Sequence, residues 1–155
     1  MLAVLFALAA TVLQQSDPTL CSLFSATDVS AILGEPVVAN NRFGCEFDSL
    51  PDAHPFKVIR FIPDYPAADD FRTDAQRVAT DNDGLTTFTA LDGVGDEAYT
   101  WHDRLGYTRV DVRSGAQSVE IFVDLGTFPA RDLPERINVG RQLAAIAVDH
   151  FTANQ

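Results

Sequence analysis

Between residues 106 and 124 apolar and polar side chains alternate through two successive runs, and nothing else in the sequence constrains the fold as tightly. Val110 and Val112 share one parity and Val119, Ile121 and Val123 another, with Arg109, Asp111, Arg113 and Glu120 falling between them. A period of two is the signature of a half-buried strand. With Ser114-Gly115 where the chain must turn, the runs read as a hairpin over 106–113 and 117–124. Its five β-branched residues form one apolar face, and such a face has to be covered by helices.

Three helices are marked. Ser25-Ala26-Thr27-Asp28 spells a capping box, Val29, Ile32 and Leu33 follow at helical spacing, and Gly34 and Pro36 stop the helix. Asp64 reads as the cap of a second helix, with Pro66 in its first turn, Asp69 and Asp70 at its positive end, and Phe71, Ala75 and Val78 as its buried stripe. Asp81-Asn82-Asp83-Gly84 ends it. Asp132 and Glu135 spell a second capping box, and Val139, Leu143, Ile146, Ala147 and His150 mark one face of the last helix. Strands are expected at 36–40 and 43–48 around Asn40-Asn41, at 56–62, and near 85–90 and 97–102. The nearly continuous apolar run FKVIRFI at 56–62 suggests a central strand covered on both faces. Hairpin-length links mean antiparallel neighbours, so the chain predicts an α+β domain: one antiparallel sheet of about seven strands with three helices packed on it.

The charge balance narrows function. Eleven basic against twenty-two acidic residues give −11, which disfavours a nucleic-acid partner or adsorption to an anionic membrane. Lys57 is the lone lysine beside ten arginines, and seventeen Asp outnumber five Glu. A GC-rich genome accounts for that bias, as does adaptation of the surface to salt.

Residues 2–13, LAVLFALAATVL, are apolar apart from Thr11. A membrane-spanning helix needs about 20 apolar residues. The shorter run suits the core of a secretory signal peptide, so residues 1–15 read as a leader, 16–20 as a spacer and 21–155 as one domain. Two cysteines, Cys21 and Cys45, behind an export signal suggest one disulfide. Two buried free thiols are the alternative. Lipidation of Cys21 is disfavoured, because Leu20 stands where a lipidated cysteine is preceded by a small residue, and with it membrane anchoring.

No reaction centre emerges. In Asp81-Asn82-Asp83-Gly84, placing Gly84 at position 6 of a calcium loop leaves Ala79 and Ala90 at the two carboxylate ends, so a turn is expected. Gly93-Val94-Gly95-Asp96-Glu97-Ala98 has the letters of a dinucleotide motif, but the continuation alternates like a strand and Asp96 and Glu97 would repel a phosphate. His54, His102 and His150 are scattered without metal-ligand spacing. No cofactor is expected.

Cys21-Ser22-Leu23-Phe24-Ser25, then Asp28-Val29, Leu33-Gly34 and Pro36-Val37, resemble the opening C-x-L-L-T-x-x-E-V-x-x-x-L-G-x-P-V of a family of small secreted proteins and lipoproteins of unknown function common in actinobacteria. Gly44-Cys45-Glu46-Phe47, Gly93 to Tyr99 and Val112 to Val123 extend the resemblance over most of the chain from Cys21. Phe24, Ser25 and Asp28 depart from the usual Leu, Thr and Glu. The resemblance implies an extracytoplasmic domain with a disulfide and a PsbP-like α/β sandwich, and brings no catalytic residues.

The function expected from these features is a non-enzymatic exported domain that binds a protein partner or small ligand. A hydrolase assembled around His102 with Asp96 or Asp103, and a structural envelope component, are the competing readings. Strand parity puts Tyr107, Arg109 and Arg113 on the polar side of the sheet with Phe122, and Trp101 near the same hairpin, a composition that recognition surfaces favour. If this surface is open, replacing Arg109 and Phe122 should abolish capture and leave the melting temperature nearly unchanged. The competing reading is ordinary cross-strand pairing, Arg against Glu120 or Asp124, under a covering helix.

Overall fold

A computed structural model describes residues 21–40, 45–64, 70–83, 87–103, 107–126 and 133–153. Residues 1–20, where a leader and spacer are expected, and Asn41, Pro66, Asp69, Gly84 and Asp132 lie outside the described residues. The elements run α1 (Ala26–Leu33), β1 (Val37–Asn40), β2 (Cys45–Ser49), β3 (Val58–Asp64), α2 (Phe71–Asp83), β4 (Thr87–Ala90), β5 (Glu97–His102), β6 (Thr108–Ser114), β7 (Gln117–Asp124) and α3 (Leu133–Ala153). All seven strands join one antiparallel sheet in the order β1-β2-β3-β7-β6-β5-β4. The fold is α+β, with three helices on one sheet.

The hairpin pairs Val110 with Ile121 and Val112 with Val119, so the alternation delivers its branched side chains to one buried face. Ser114 pairs with Gln117, which makes Gly115-Ala116 the loop, one residue later than the sequence suggests. Gly115 has φ 61° and no non-glycine residue among the described residues has positive φ, the requirement of a type II′ turn with glycine first. From β3 in mid-sheet the chain passes through α2 to the far edge, and the β4–β7 meander returns until β7 pairs with β3.

The first face carries the main core. Val37, Phe47, Ile59, Phe61, Val110, Val112, Val119, Ile121 and Val123 meet Phe24 and Val29 near α1 and Val139, Leu143, Ala144, Ala147 and Phe151 of α3. Phe24 stacks on Phe61 with centroids 3.6 Å apart, and Phe47 meets Phe61 edge-on at 5.9 Å. Gly140 lets α3 approach the sheet closely: a Cβ there would lie 2.5 Å from Val110 Cγ2. The Ser25–Asp28 capping box forms in both directions, and Gly34 at φ 70° closes α1. Cys21 and Cys45 are disulfide-bonded, Cα to Cα 5.1 Å, tying the residues before α1 to β2. No helix among the described residues is long and apolar enough to cross a membrane.

Five expectations are corrected. Asp64 caps no helix: it is the last residue of β3, paired with Ser118, and α2 runs from Phe71 to Asp83. Asp81 to Asp83 are therefore helical rather than a turn, and the buried stripe of α2 is Phe71, Ala75 and Ala79, with Val78 at its margin. β3 lies inside the sheet but is buried on one face only, since Ile59 and Phe61 are enclosed while Val58, Arg60 and Ile62 are half-buried. On α3 the enclosed face runs through Arg136, Val139, Gly140, Leu143, Ala144, Ala147 and Phe151, leaving Ile146 and His150 half-buried at its edge.

The helices do not share a face. Phe71 and Ala75 of α2 pack with Tyr99 and Phe88, whose strand parity is opposite to that of the main core. α2 therefore lies on the second face of the sheet, at the β4–β5 side.

Candidate binding surface

The strand register that builds the core on one face also aligns a single cross-strand row on the other. Asn40, Glu46, Arg60, Phe122, Arg109, Trp101 and Phe88 are successive Cα partners, one from each strand. Within it cations and rings alternate. The Arg60 guanidinium lies 5.4 Å from the Phe122 centroid; that of Arg109 lies 5.3 Å from Phe122 and 4.9 Å from Trp101. Each arginine is also matched by a carboxylate: Arg60 Nε and Nη2 donate to Glu46 Oε2 at 2.6 and 2.5 Å, and Arg109 Nη1 donates to Glu120 Oε1. A stacked guanidinium with its edge on a carboxylate is geometry that lysine does not reproduce.

A second row runs alongside, Ile62–Glu120–Asp111–Tyr99–Ala90. The buried Asp111 accepts the Trp101 indole N–H at 2.8 Å. Tyr99 donates its hydroxyl to Glu97 Oε1 at 2.5 Å. Burial first, then the Glu97 carboxylate, pushes the Tyr99 phenol from the usual 10.0 up to about 12. Since the folded value is raised, the stability this phenol contributes is whole below about pH 10 and is lost as pH climbs through about 12. Absorbance of phenolate near the tyrosine band should show a late-ionising class that Tyr99→Phe removes; an unchanged alkaline profile in that variant would contradict the assignment.

Of the five residues expected to form one surface, Trp101, Arg109, Phe122 and Tyr107 are contiguous in that order, and Arg113 lies apart. Trp101 is 1% exposed, roofed by Arg109 and anchored to Asp111, so it belongs to the interior. Tyr107 and Phe122 are both half-buried and touch, centroids 5.3 Å apart. Arg113 sits six residues along β6 from Tyr107, about 20 Å away. Its Nη1 donates to Gly115 O at 3.0 Å and its Nη2 to Glu97 Oε2 at 3.4 Å, with Asp96 3.8 Å off. Neither Arg109 nor Arg113 is an isolated positive point. Asp124 lies 3.7 Å from Arg136, so the cross-strand pairing is Arg109 with Glu120.

Arg109 is thus structural as well as surface-lining, and its removal is not neutral. Arg109→Ala should cost about 2 kcal/mol, the scale of a charge-assisted hydrogen bond, and lower the melting temperature by roughly 4–8 °C. Arg109→Lys should recover less than half of that, because it keeps charge and loses the plane. A melting curve of Arg109→Ala superimposable on the parent would show the pair to be idle.

Of the proposed hydrolase residues, Asp96 is separated from His102: it precedes β5, which His102 ends, about 20 Å away, and Asp103 is the residue next to His102. Asp96 Oδ2 accepts Gly115 N at 2.7 Å, and Asp103 Oδ1 accepts Tyr107 N at 3.1 Å. The Gly93 and Gly95 backbones, φ 79° and 61°, turn the chain into β5 instead of a helix. Among the described residues no group of three His, Cys, Asp or Glu side chains is placed to hold a metal ion.

Glu46, Arg60 and Arg136 were not singled out from the sequence as surface residues, and Asp111 was read only as a polar residue on the side of Arg109 and Arg113. Glu46 and Arg60 lie on strands whose register with β7 no local pattern encodes. Asp111 had a signal, being an acid flanked by Val110 and Val112 across from Trp101 in the next strand. Arg136 gave none: it is fully enclosed on the core side of α3 with Asp124 nearby. No family model, curated protein or solved structure matches this chain.

Proposed function

We propose that this chain is an exported, non-enzymatic domain that binds a partner through the half of the second sheet face lying beyond α2. The observation that carries this reading is the unequal cover of the two faces. α1 and α3 enclose the first, while α2 packs only against the β4–β5 side of the second. Tyr107 and Phe122 are left half-buried, over a row of arginines and carboxylates already rigid before a partner arrives. Rigid aromatic anchors bind with little loss of side-chain freedom. Export is supported by the apolar run at 2–13 and by the Cys21–Cys45 disulfide, a bond that persists in oxidising compartments.

A photo-crosslinking residue at Tyr107, compared with one at Gln76 on the exposed side of α2, tests the binding surface in the native host. A discrete adduct from position 107 alone is expected. Equal labelling from both positions, or none from either, would defeat the reading. Intact mass of the extracellular protein tests export, with loss of the leader and two bonded cysteines expected.

A further inference from the structure

The open face has an apolar corner. Val38, Leu50 and Phe56 are 45%, 37% and 43% exposed, the large apolar side chains most open to solvent among the described residues. They are neighbours by register. Val38 pairs with Asp48 and Asp48 with Val58, while Ser49 N donates to Lys57 O at 3.0 Å, bringing Leu50 and Phe56 opposite each other. By parity all three lie on the same face as Phe122 and Tyr107, whereas Ser49 and Phe47 point to the core. Both described cations at this corner are already matched, Lys57 by Glu35 at 2.9 Å and Arg60 by Glu46. Asp48, which accepts Asn40 Nδ2 at 2.7 Å, and Asp52 remain as net negative charge in and beside the apolar patch.

We infer, building on the reading of this face as a binding surface, that its occupant is an amphipathic helix of a partner protein bearing an apolar stripe flanked by Lys or Arg. Three observations converge. The molecule already seats a helix on this face in the same manner, α2, through Phe71, Ala75 and Ala79 at i, i+4 and i+8. β5, under α2, and β2 are four strand spacings apart, about 19 Å, so a second helix about 10–12 Å across fits alongside. The charge selects the partner's sign: an apolar patch set beside Asp48 and Asp52, on a chain of −11, attracts a cationic helix. Two copies of this chain repel each other, and an anionic lipid surface is repelled likewise.

The test titrates the full chain with a leucine/lysine amphipathic peptide of about 18 residues, long enough to form a helix. A leucine/glutamate counterpart and a scrambled leucine/lysine peptide without an apolar stripe serve as comparisons. The amphipathic cationic peptide should bind, shift the amide resonances of Val38, Leu50 and Phe56, and weaken as salt rises. The scrambled peptide, and the Leu50→Ser/Phe56→Ser variant with the original peptide, should each bind roughly tenfold more weakly. The resonance shifts are read on the unaltered protein, so the result does not depend on the variant folding. Equal binding of the scrambled peptide, or shifts spread over the whole acidic surface, would overturn the inference. So would preferential binding of the leucine/glutamate peptide, or self-association of the chain through this corner. If no peptide binds while Tyr107 still crosslinks to a partner, the basic-helix inference falls and the binding surface stands; if Tyr107 labels nothing as well, both fall.

Discussion

Trp101→Ala should lower stability by about 4 kcal/mol, within the range for removing a buried tryptophan, and the melting temperature by roughly 8–16 °C. Three losses coincide. The ring is 1% exposed, so its removal leaves a large cavity between β5 and its neighbours. Asp111, buried on the adjacent strand, loses an indole donor at 2.8 Å. Arg109 loses the ring it covers at 4.9 Å and keeps only Glu120 and Phe122 to hold its plane. Trp101→Phe separates these effects. It keeps most of the apolar volume and removes the N–H, and should cost about 1–3 kcal/mol through the weakened solvation of Asp111. Circular dichroism is the readout, since Trp101 is the chain's single tryptophan and its fluorescence vanishes in both variants. A Trp101→Ala protein melting within 2–3 °C of the parent would mean that the row carries little of the fold, and would remove the rigid platform on which the binding proposal rests.

How far this arrangement could be read from the sequence depends on the distance between partners along the chain. The β6–β7 hairpin was legible because both strands carry the period and the turn between them is two residues long. The capping box of α1 was legible because Ser25 and Asp28 satisfy each other's amides within one turn. The start of α2 was not. Asp64 and Pro66 carry the chemistry of a helix start, yet pairing with β7 holds Pro63 and Asp64 in the sheet opposite Val119 and Ser118. Local propensity lost there to a contact with residues more than fifty positions away.

The site shows the same division. Parity alone put Tyr107, Arg109 and Phe122 on the polar side of the sheet, and that placement holds. It could not show that Arg109 would lie over Trp101 and enclose it, nor that Arg60 would enter the same row from β3. Nor does the sequence reveal which face a helix covers. α2 takes the face opposite the main core because Tyr99 and Phe88 supply a second apolar patch on the opposite parity, and Phe71 packs on Tyr99 with centroids 6.1 Å apart. Those aromatics divide the second face into a covered and an open half.

Breaking the disulfide is the other large expected effect. Cys21 and Cys45 are separated by 24 positions, and in the chain-entropy model closing a loop of that length stabilises by about 3 kcal/mol. Loss of the bridge should lower the melting temperature by roughly 6–12 °C. The mechanism is visible in what the bridge holds. Phe24, three residues beyond Cys21, stacks on Phe61, and Val29 of α1 is fully enclosed, so the bond confines the segment that seals the β1–β3 side of the core. The choice of variant matters because Cys45 is itself buried. Cys21→Ser cuts the bond at the half-buried end and leaves a thiol in the core; Cys45→Ala cuts it and shrinks a core side chain, and should be the more destabilised. Hydrogen exchange should quicken first in α1, Ala26–Leu33, and least in the β6–β7 hairpin, whose strands lie two and three places from β2 in the sheet. Reductant should bring the parent protein to the melting temperature of Cys21→Ser and leave that variant unmoved. If reductant and both substitutions leave the transition within 2 °C of the parent, the bridge does not hold α1 to the sheet, and the stacking of Phe24 on Phe61 is sufficient by itself.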